Sequence, residues 1–525
     1  MKTKSNLLLL STLIGGLLFS YIFWKEWLAL NQLIYSIFII TVTIFNSEVI
    51  KSTRFKIYAL AHLLAAILVV VNNSALTSVT YYISLVLFVG FAHYQSIRTI
   101  YIAGMATVMQ MITVPASLLK RLSDIQIGKF NLRPVFRPVK YIILPLIILF
   151  IFTAIYSGAN EVFAHYLDLV LTNISNFLNN IFGFIFQDLS LPRFFHFCLG
   201  IFITAGLVIT FYNKSIEKLE AGCNEKLLRI RRSQKARSIW YEVAHTFTSQ
   251  IITKKMALKT EYIIGFISFI SLNLLLLSVN LIDISTLWFG HKPAGNFSAD
   301  LHDGTNALIF SIILAMAVIL YFFRGNLNFY SKSKTLKILA FTWMVQNFIL
   351  IISVFIRDGY YIEFHGLTHK RIGVLVFAIL CVIGLATVYF KVAKQRTLFY
   401  LFKVNGNIWI ALLLAFSLIN WDVFIVKYNL AKSDQVGIDA DYLLSLSDKT
   451  LPLLDQNRSK LAYSPSKDLY GKEIAKAQTA DFYRDQLDRR IGYFKDRYNE
   501  VSWLSWNLQD WNTAAYFGLN KHSRR

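Results

Sequence analysis

The chain has 525 residues, of which 55% are hydrophobic, 15% aromatic and 16% charged, and its mean hydropathy is +0.50. Soluble domains carry about 25% charged residues, so the composition excludes one, and with it disordered and disulfide-rich secreted chains. The formal net charge of +23 need not mean nucleic acid, because the basic residues cluster between apolar runs rather than forming one binding surface.

A helix needs about 20 predominantly apolar residues to cross the hydrocarbon core. In chain order the qualifying runs are Leu7 to Trp24, Trp27 to Phe45, Ile57 to Val71, Leu76 to Ala92, Tyr141 to Ser157 and Phe194 to Tyr212. Then come Tyr262 to Ile282, Asn306 to Phe323, Ile338 to Ile356, Ile372 to Phe390 and Gly406 to Val426. The first begins with Lys2 and Lys4 like a signal peptide but lacks a small-x-small cleavage site, so it reads as a retained helix. A further run, Ile97 to Leu119, is diluted by Gln110, Thr113 and Pro115.

Charge decides how that run is treated. If it does not cross and the N-terminus is cytoplasmic, the inside loops hold 31 Lys and Arg, the short outside loops 6 and the tail after Val426 the remaining 16. The positive-inside rule expects such asymmetry, so Ile97 to Leu119 is expected to be re-entrant or interfacial and the C-terminus extracytoplasmic. The expected fold is all-α, a polytopic transmembrane bundle of about 11 spans over residues 1–426, followed by a small helical extramembrane domain over 427–525.

Two segments outside the spans stand out. Over 159–190, Phe163, Leu167, Val170, Ile174, Phe177 and Ile181 form one stripe opposite His165, Asp168, Asn173 and Asn176. That pattern predicts an amphipathic outer helix, either on the outer leaflet or packed on other segments, and packing is the simpler reading. The basic loop 213–261, with the run Arg229 to Arg237, reads as a cytoplasmic topology determinant beside anionic lipid headgroups.

The tail has 16 basic and 13 acidic residues, and Tyr483, Leu487, Ile491, Phe494, Tyr498 and Val501 recur in it at helical spacing. Trp503, Trp506 and Trp511 follow, suited to docking on that helix or at the membrane interface. Cys198, Cys223 and Cys381 form no disulfide framework and read as small buried residues.

The chain contains no G-x-x-x-x-G-K-[ST], H-E-x-x-H, G-x-S-x-G or paired C-x-x-C, so ATPase, zincin, serine hydrolase and thiol redox readings lose their support. The middles of the expected spans hold no Asp, Glu, Lys or Arg, which weakens ion-coupled transport. Asn273, Asn280, Gln346 and Asn347 are the intramembrane polar contacts, read first as helix–helix glue and alternatively as a transport site. The outer loops hold His291, Asp300, His302 and Asp303, then Asp358, Glu363, His365 and His369. Imidazoles with carboxylates can bind zinc. His291, His302 and His369 are the weak metal candidates, but Gly366 interrupts any helix that would align His365 with His369. No metal and no cofactor is expected.

The run Tyr361 to Gly373, preceded by Trp343, Gln346, Asn347 and Arg357, resembles a bacterial membrane family catalogued as a domain of unknown function, numbered forty-one seventy-three and forty-one fifty-three. Leu301 to Ile309, Lys403 to Asn407, Ile419 to Leu430, Asp439 to Pro452 and Tyr21 to Asn31 resemble it in the same order. The resemblance implies a many-helix protein of the bacterial cytoplasmic membrane without an established activity. Matching residues gather at the outer ends of spans, where Asp283, His302, Asp303, Arg357, Tyr361, Thr368, Arg371 and Asp422 are expected to form a polar network, functional or structural. The favoured reading is a non-enzymatic sensing, scaffolding or envelope-interaction protein whose tail has a protein partner. A transporter of a small or amphipathic solute is the alternative, and an outer-leaflet enzyme the third.

Overall fold

The computed structural model describes residues 2–46, 51–94, 96–123, 161–182, 190–209, 220–228, 258–288, 297–433, 438–461 and 479–519, with isolated residues between them. These are almost wholly helical; a two-residue antiparallel pair, Gln126–Ile127 with Phe130–Asn131, is the exception. The chain divides into two compact units, one of 1–217 with 500–508 and the other of 218–499 with 509–523. Of the expected features, the span Tyr141 to Ser157, most of the basic loop 213–261 and the side chains of His291, His302 and Asp303 lie outside the described residues.

Among the described residues eight helices are long and apolar enough to cross a membrane, and Leu7–Phe23, Leu30–Phe45 and Ala307–Phe322 are shorter apolar helices. The chain is therefore a multi-pass integral membrane protein by length and composition.

The first unit holds α1 (Lys2–Phe23), α2 (Leu30–Phe45), α3 (Thr53–Asn72), α4 (Ala75–His93), α5 (Ile100–Ser123), α6 (Glu161–Phe182) and α7 (Leu191–Val208). Small residues let α1 and α7 touch antiparallel: a Cβ on Gly15 would meet Thr204 at 2.3 Å, and one on Gly200 would meet Phe19 at 2.8 Å. A turn through left-handed Asn73 and a capping box of Ser74 and Thr77 joins α3 to α4.

The last carbonyls of a helix lack intrahelical donors, and those of α7 are taken by three side chains. Asn46 donates to the Val208 carbonyl (3.1 Å), His93 pairs with the Leu207 carbonyl (2.9 Å), and Gln110 donates to those of Gly206 (2.6 Å) and Ile209 (3.0 Å). The residue that dilutes the run Ile97 to Leu119 is thus a helix cap. That run is one continuous helix, α5, which removes the re-entrant hairpin expected as one of its two forms. Its named partners are Val86 and Gly90 on α4 and Ile201 to Ile209 on α7. Residues Ile100–Leu122 of this helix are themselves long and apolar enough to cross a membrane.

Helix α6 forms where the amphipathic pattern predicts it, and of its apolar stripe Val170 and Phe177 are exposed by more than half, as side chains facing lipid can be at no cost. A hydrogen bond from the Leu191 N–H to Ser175 Oγ (3.1 Å) ties it to the start of α7. In the same unit, 500–508 grips the α1–α2 turn: Ser505 Oγ donates to Glu26 (2.5 Å) and accepts the Trp27 N–H (2.8 Å), and the Leu30 N–H reaches the Trp506 carbonyl (3.2 Å).

The second unit holds α8 (Leu258–Asp283), extended by a π-helical turn (Ile284–Trp288), then α9 (Phe297–Phe322), α10 (Ser333–His365), α11 (His369–Ala393) and α12 (Leu398–Ser417). These pack around Phe269, Ile312, Ile319, Leu336, Ile351 and Val388. The expected last span, Gly406 to Val426, is two helices. Helix α12 ends at Ser417, and Asn420, accepting the Val423 N–H (3.4 Å), caps a new helix, α13 (Trp421–Ala431). Helices α14 (Ala440–Ser445), α15 (Leu451–Gln456), α16 (Ala480–Glu500) and α17 (Leu508–Tyr516) follow.

The predicted tail helix forms as α16 and buries Tyr483, Leu487, Ile491, Phe494 and Tyr498. These meet Leu443, Leu451, Leu454 and Leu461, each 0 or 1% exposed, and such burial stabilises by roughly 1.5–3 kcal/mol per side chain. The same core includes Leu367, Ile372, Ile425 and Val426, so packing continues across the expected boundary at 426/427.

Candidate functional site

The spans of the second unit run longer than their hydropathy suggests. The helices assigned as Leu258–Trp288, Ser333–Glu363 and His369–Ala393 enclose Asp283, Arg357, Asp358, Arg371 and Lys391. These ionisable groups lie toward the helix ends, outside the span middles that the sequence reads as uncharged.

The four intramembrane amides are buried and joined. Gln346 donates to Asn273 Oδ1 (2.9 Å), Asn273 to the Phe269 (2.6 Å) and Leu339 (3.1 Å) carbonyls, Asn280 to the Gln346 carbonyl (3.0 Å), and Asn347 to the Trp343 carbonyl (2.8 Å). Asn273, Asn280 and Gln346 bind α8 to α10 as parallel neighbours, while Asn347 bonds within α10. One level farther along, Arg357 pairs with Asp283 at 2.5 Å, and Trp288 Nε1–H donates to Ser353 (3.0 Å). Asp358 is 5% exposed, and its Oδ2 has no hydrogen-bond partner.

The remaining polar residues gather where α10 turns into α11. Helix α10 stops because Gly366 adopts φ +76°, and a Cβ there would meet Asn429 Oδ1 at 2.7 Å. Asn429 clamps the turn, accepting the Leu367 N–H (2.7 Å) and donating to the Leu367 carbonyl (2.9 Å). Arg371 reaches back from α11 and donates to the carbonyls of His365 (2.8 Å) and Gly366. Its guanidinium lies 4.3 Å over the Tyr361 ring, which stacks on His365 at 4.8 Å. Burial, and then the Arg371 charge, push the His365 imidazole below 6.5. Thr368 caps α11, accepting the Arg371 N–H (3.4 Å).

His369, the first residue of α11, links three elements. Its Nε2 lies 2.9 Å from Asp422 Oδ1 on α13, and its Nδ1 lies 3.1 Å from the Tyr442 hydroxyl on α14. That hydroxyl also accepts the His369 backbone N–H (2.9 Å). One proton arrangement satisfies all three contacts: Tyr442 donates to Nδ1 and Nε2–H donates to Asp422. Burial works to raise the Asp422 carboxyl, but hydrogen bonds from His369 and Ser447 and the Lys449 charge outweigh it and hold the group at about 2. Burial raises the Tyr442 phenol above 10.0.

A nucleophilic tyrosine needs a lowered pKa, and burial moves this phenol the other way. As for metal, no group of three or more His, Cys, Asp or Glu able to hold an ion occurs among the described residues.

The structure thus brings together Tyr361, Thr368, Arg371 and Asp422 of the expected network, with His369, while Asp283 and Arg357 pair with each other. Sequence reading did not single out Tyr442, Ser447 or Lys432. The first two lie in the stretch Asp439 to Pro452 and could have been found there, whereas Lys432 carried no signal. A cavity of about 60 Å³ opens beside the turn, among Gly366, Thr368, Arg371, Lys432, Asp439 and Tyr442.

A family model described as Domain of unknown function (DUF4153) matches residues 58–457, from within α3 to just past α15. No curated protein and no solved structure matches the chain.

Proposed function

We propose that this chain, which belongs to that family of unknown function, acts without catalysis as a sensing or scaffolding platform in a bacterial cytoplasmic membrane. The distribution of 53 Lys and Arg supports an N-terminus in the cytoplasm and a tail outside. On that topology the α10–α11 turn, α13 and the tail core share the outer face. Helix α5 then lies at the cytoplasmic surface, in keeping with an interfacial segment among the basic loops and anionic lipid headgroups.

One observation carries the reading: the polar side chains at the α10–α11 turn and along α8 and α10 mostly engage one another. His369 is held by Asp422 and Tyr442, the amides join two helices, and the tail core is continuous with the helix ends. What faces outward is the other side of α16, where Tyr493 is 74% exposed. A photo-crosslinking residue at Tyr493 in living cells is expected to give a discrete protein adduct. No adduct there or at other exposed positions of α16 would contradict a protein partner for the tail.

Transport is the second reading, favoured by Asp283, Arg357 and Asp358 lying within the long helices. Replacing Asn273, Asn280, Gln346 and Asn347 with Leu in a folded variant would abolish solute uptake on this reading. Unchanged uptake would remove it.

A further inference from the structure

We propose that the cavity at the start of α11 binds a phosphoryl oxyanion, an inference that goes beyond the platform reading and does not rest on it. The charge balance of its wall is the first ground. Lys432 makes no ion pair among the described residues, its ammonium lying only near the Tyr428 ring at 5.8 Å. Arg371 spends Nη1 on two carbonyls and is bridged to no carboxylate among the described residues. Two cations therefore face one lining carboxylate, Asp439, and that one already accepts the Tyr442 N–H at 2.9 Å.

The second ground is the backbone. The cavity opens at the N-terminus of a 25-residue helix, whose dipole favours an anion, while the His369 and Arg371 N–H groups are already taken by Tyr442 and Thr368. The Thr368 hydroxyl accepts there, keeps its own proton to donate, and lines the same space. Two cations, a helix dipole and this hydroxyl match several oxygens of a charged tetrahedral group better than the two of a carboxylate. A volume of about 60 Å³ suits an ion of a few heavy atoms.

Two sources share this chemistry. The cavity lies between the end of one candidate span, Ser333–Glu363, and the start of another, His369–Ala393, the level at which phospholipid headgroups sit. A free phosphate ion from solution is the other.

The test uses the full chain, freed of bound lipid in a sugar-based detergent. Its thermal unfolding is followed against inorganic phosphate, and separately against short-chain phosphatidylglycerol, with chloride at matched ionic strength as reference. A rise in Tm with phosphate identifies the free ion, and a rise with the lipid alone identifies the headgroup. In either case Lys432→Gln is expected to weaken binding about tenfold, the worth of one charge-assisted hydrogen bond. Asp439→Asn keeps a helix-capping side chain and removes the opposing carboxylate, so it is expected to bind several-fold more tightly. No rise with either probe, or the same midpoint in Lys432→Gln and no tightening in Asp439→Asn, would overturn the proposal.

Discussion

At one end of the second unit Lys391, 1% exposed, donates to the Phe323 carbonyl at 2.5 Å just past α9. Asn328 shares that carbonyl (2.9 Å), Gln395 donates to the Asn328 carbonyl (3.1 Å), and Lys403 pairs with Glu225 (2.6 Å). At the other end Arg371 also caps a helix, α10, and lines a cavity beside Lys432. Both ends bury charge to satisfy the orphan carbonyls of a helix C-terminus. The difference is that the second end sets two cations beside a cavity. Buried charge alone therefore does not mark a site; cations beside open space do.

The largest expected effect breaks the polar end. Arg357→Leu strands Asp283, 4% exposed, without its partner, and losing one member of a buried pair costs about 3–5 kcal/mol. Adding Asp283→Leu should restore most of that stability. Thermal unfolding of both single variants and the double variant measures the coupling, and additive losses would show that the pair acts as two separate charges.

Next comes the tail core. Leu487→Ala removes a side chain that is 0% exposed and is expected to cost about 2–5 kcal/mol, against within about 0.5 kcal/mol for the exposed Tyr493→Ala. Equal effects would mean that α16 does not pack as described.

Lys391→Met sharpens the contrast between the ends. It frees one carbonyl but removes a buried charge, so a loss of about 1 kcal/mol is expected, with the response to phosphate unchanged. A lost phosphate response would deny that the two ends act separately.

The smallest effect is a pH dependence. The Asp422 carboxyl is held at about 2 against an ordinary 3.8. Its stabilisation is thus fully present above pH 3.8 and lost as pH falls through about 2. Unfolding of wild type and Asp422→Asn should differ most above pH 4 and converge toward pH 2. A constant difference would mean that the carboxylate charge contributes nothing.

Much of this was legible in the sequence because its signals are periodic or compositional. The apolar runs forecast most of the long helices, and the spacing of Tyr483, Leu487, Ile491, Phe494 and Tyr498 forecast α16 and its buried face. Helix ends were less legible. Asp283 and Arg357 lie in helices that continue past the hydropathy signal, because each satisfies the charge of the other. The break at Asn420 was hidden for the opposite reason, since apolar residues run on through Leu418 and Ile419 while one side-chain cap restarts the helix. Gln110 read as a flaw in a span, and only the carbonyls of a helix some 90 residues later reveal its use. Of the site, the turn at Gly366 and the residues flanking it were visible. The meeting of His369 with Asp422 and Tyr442 was not, because their contact depends on how α13 and α14 return to α11.

The central claim is that the long helices of the second unit form a dry, packed bundle whose amides serve packing. Single cysteines at Asn273, Asn280, Gln346 and Asn347, with Cys198, Cys223 and Cys381 replaced, test it directly through a membrane-impermeant thiol reagent applied to intact and opened membranes. All four positions are predicted to stay unlabelled in both. Labelling at any of them in a folded variant would reveal a water-filled path and contradict the account.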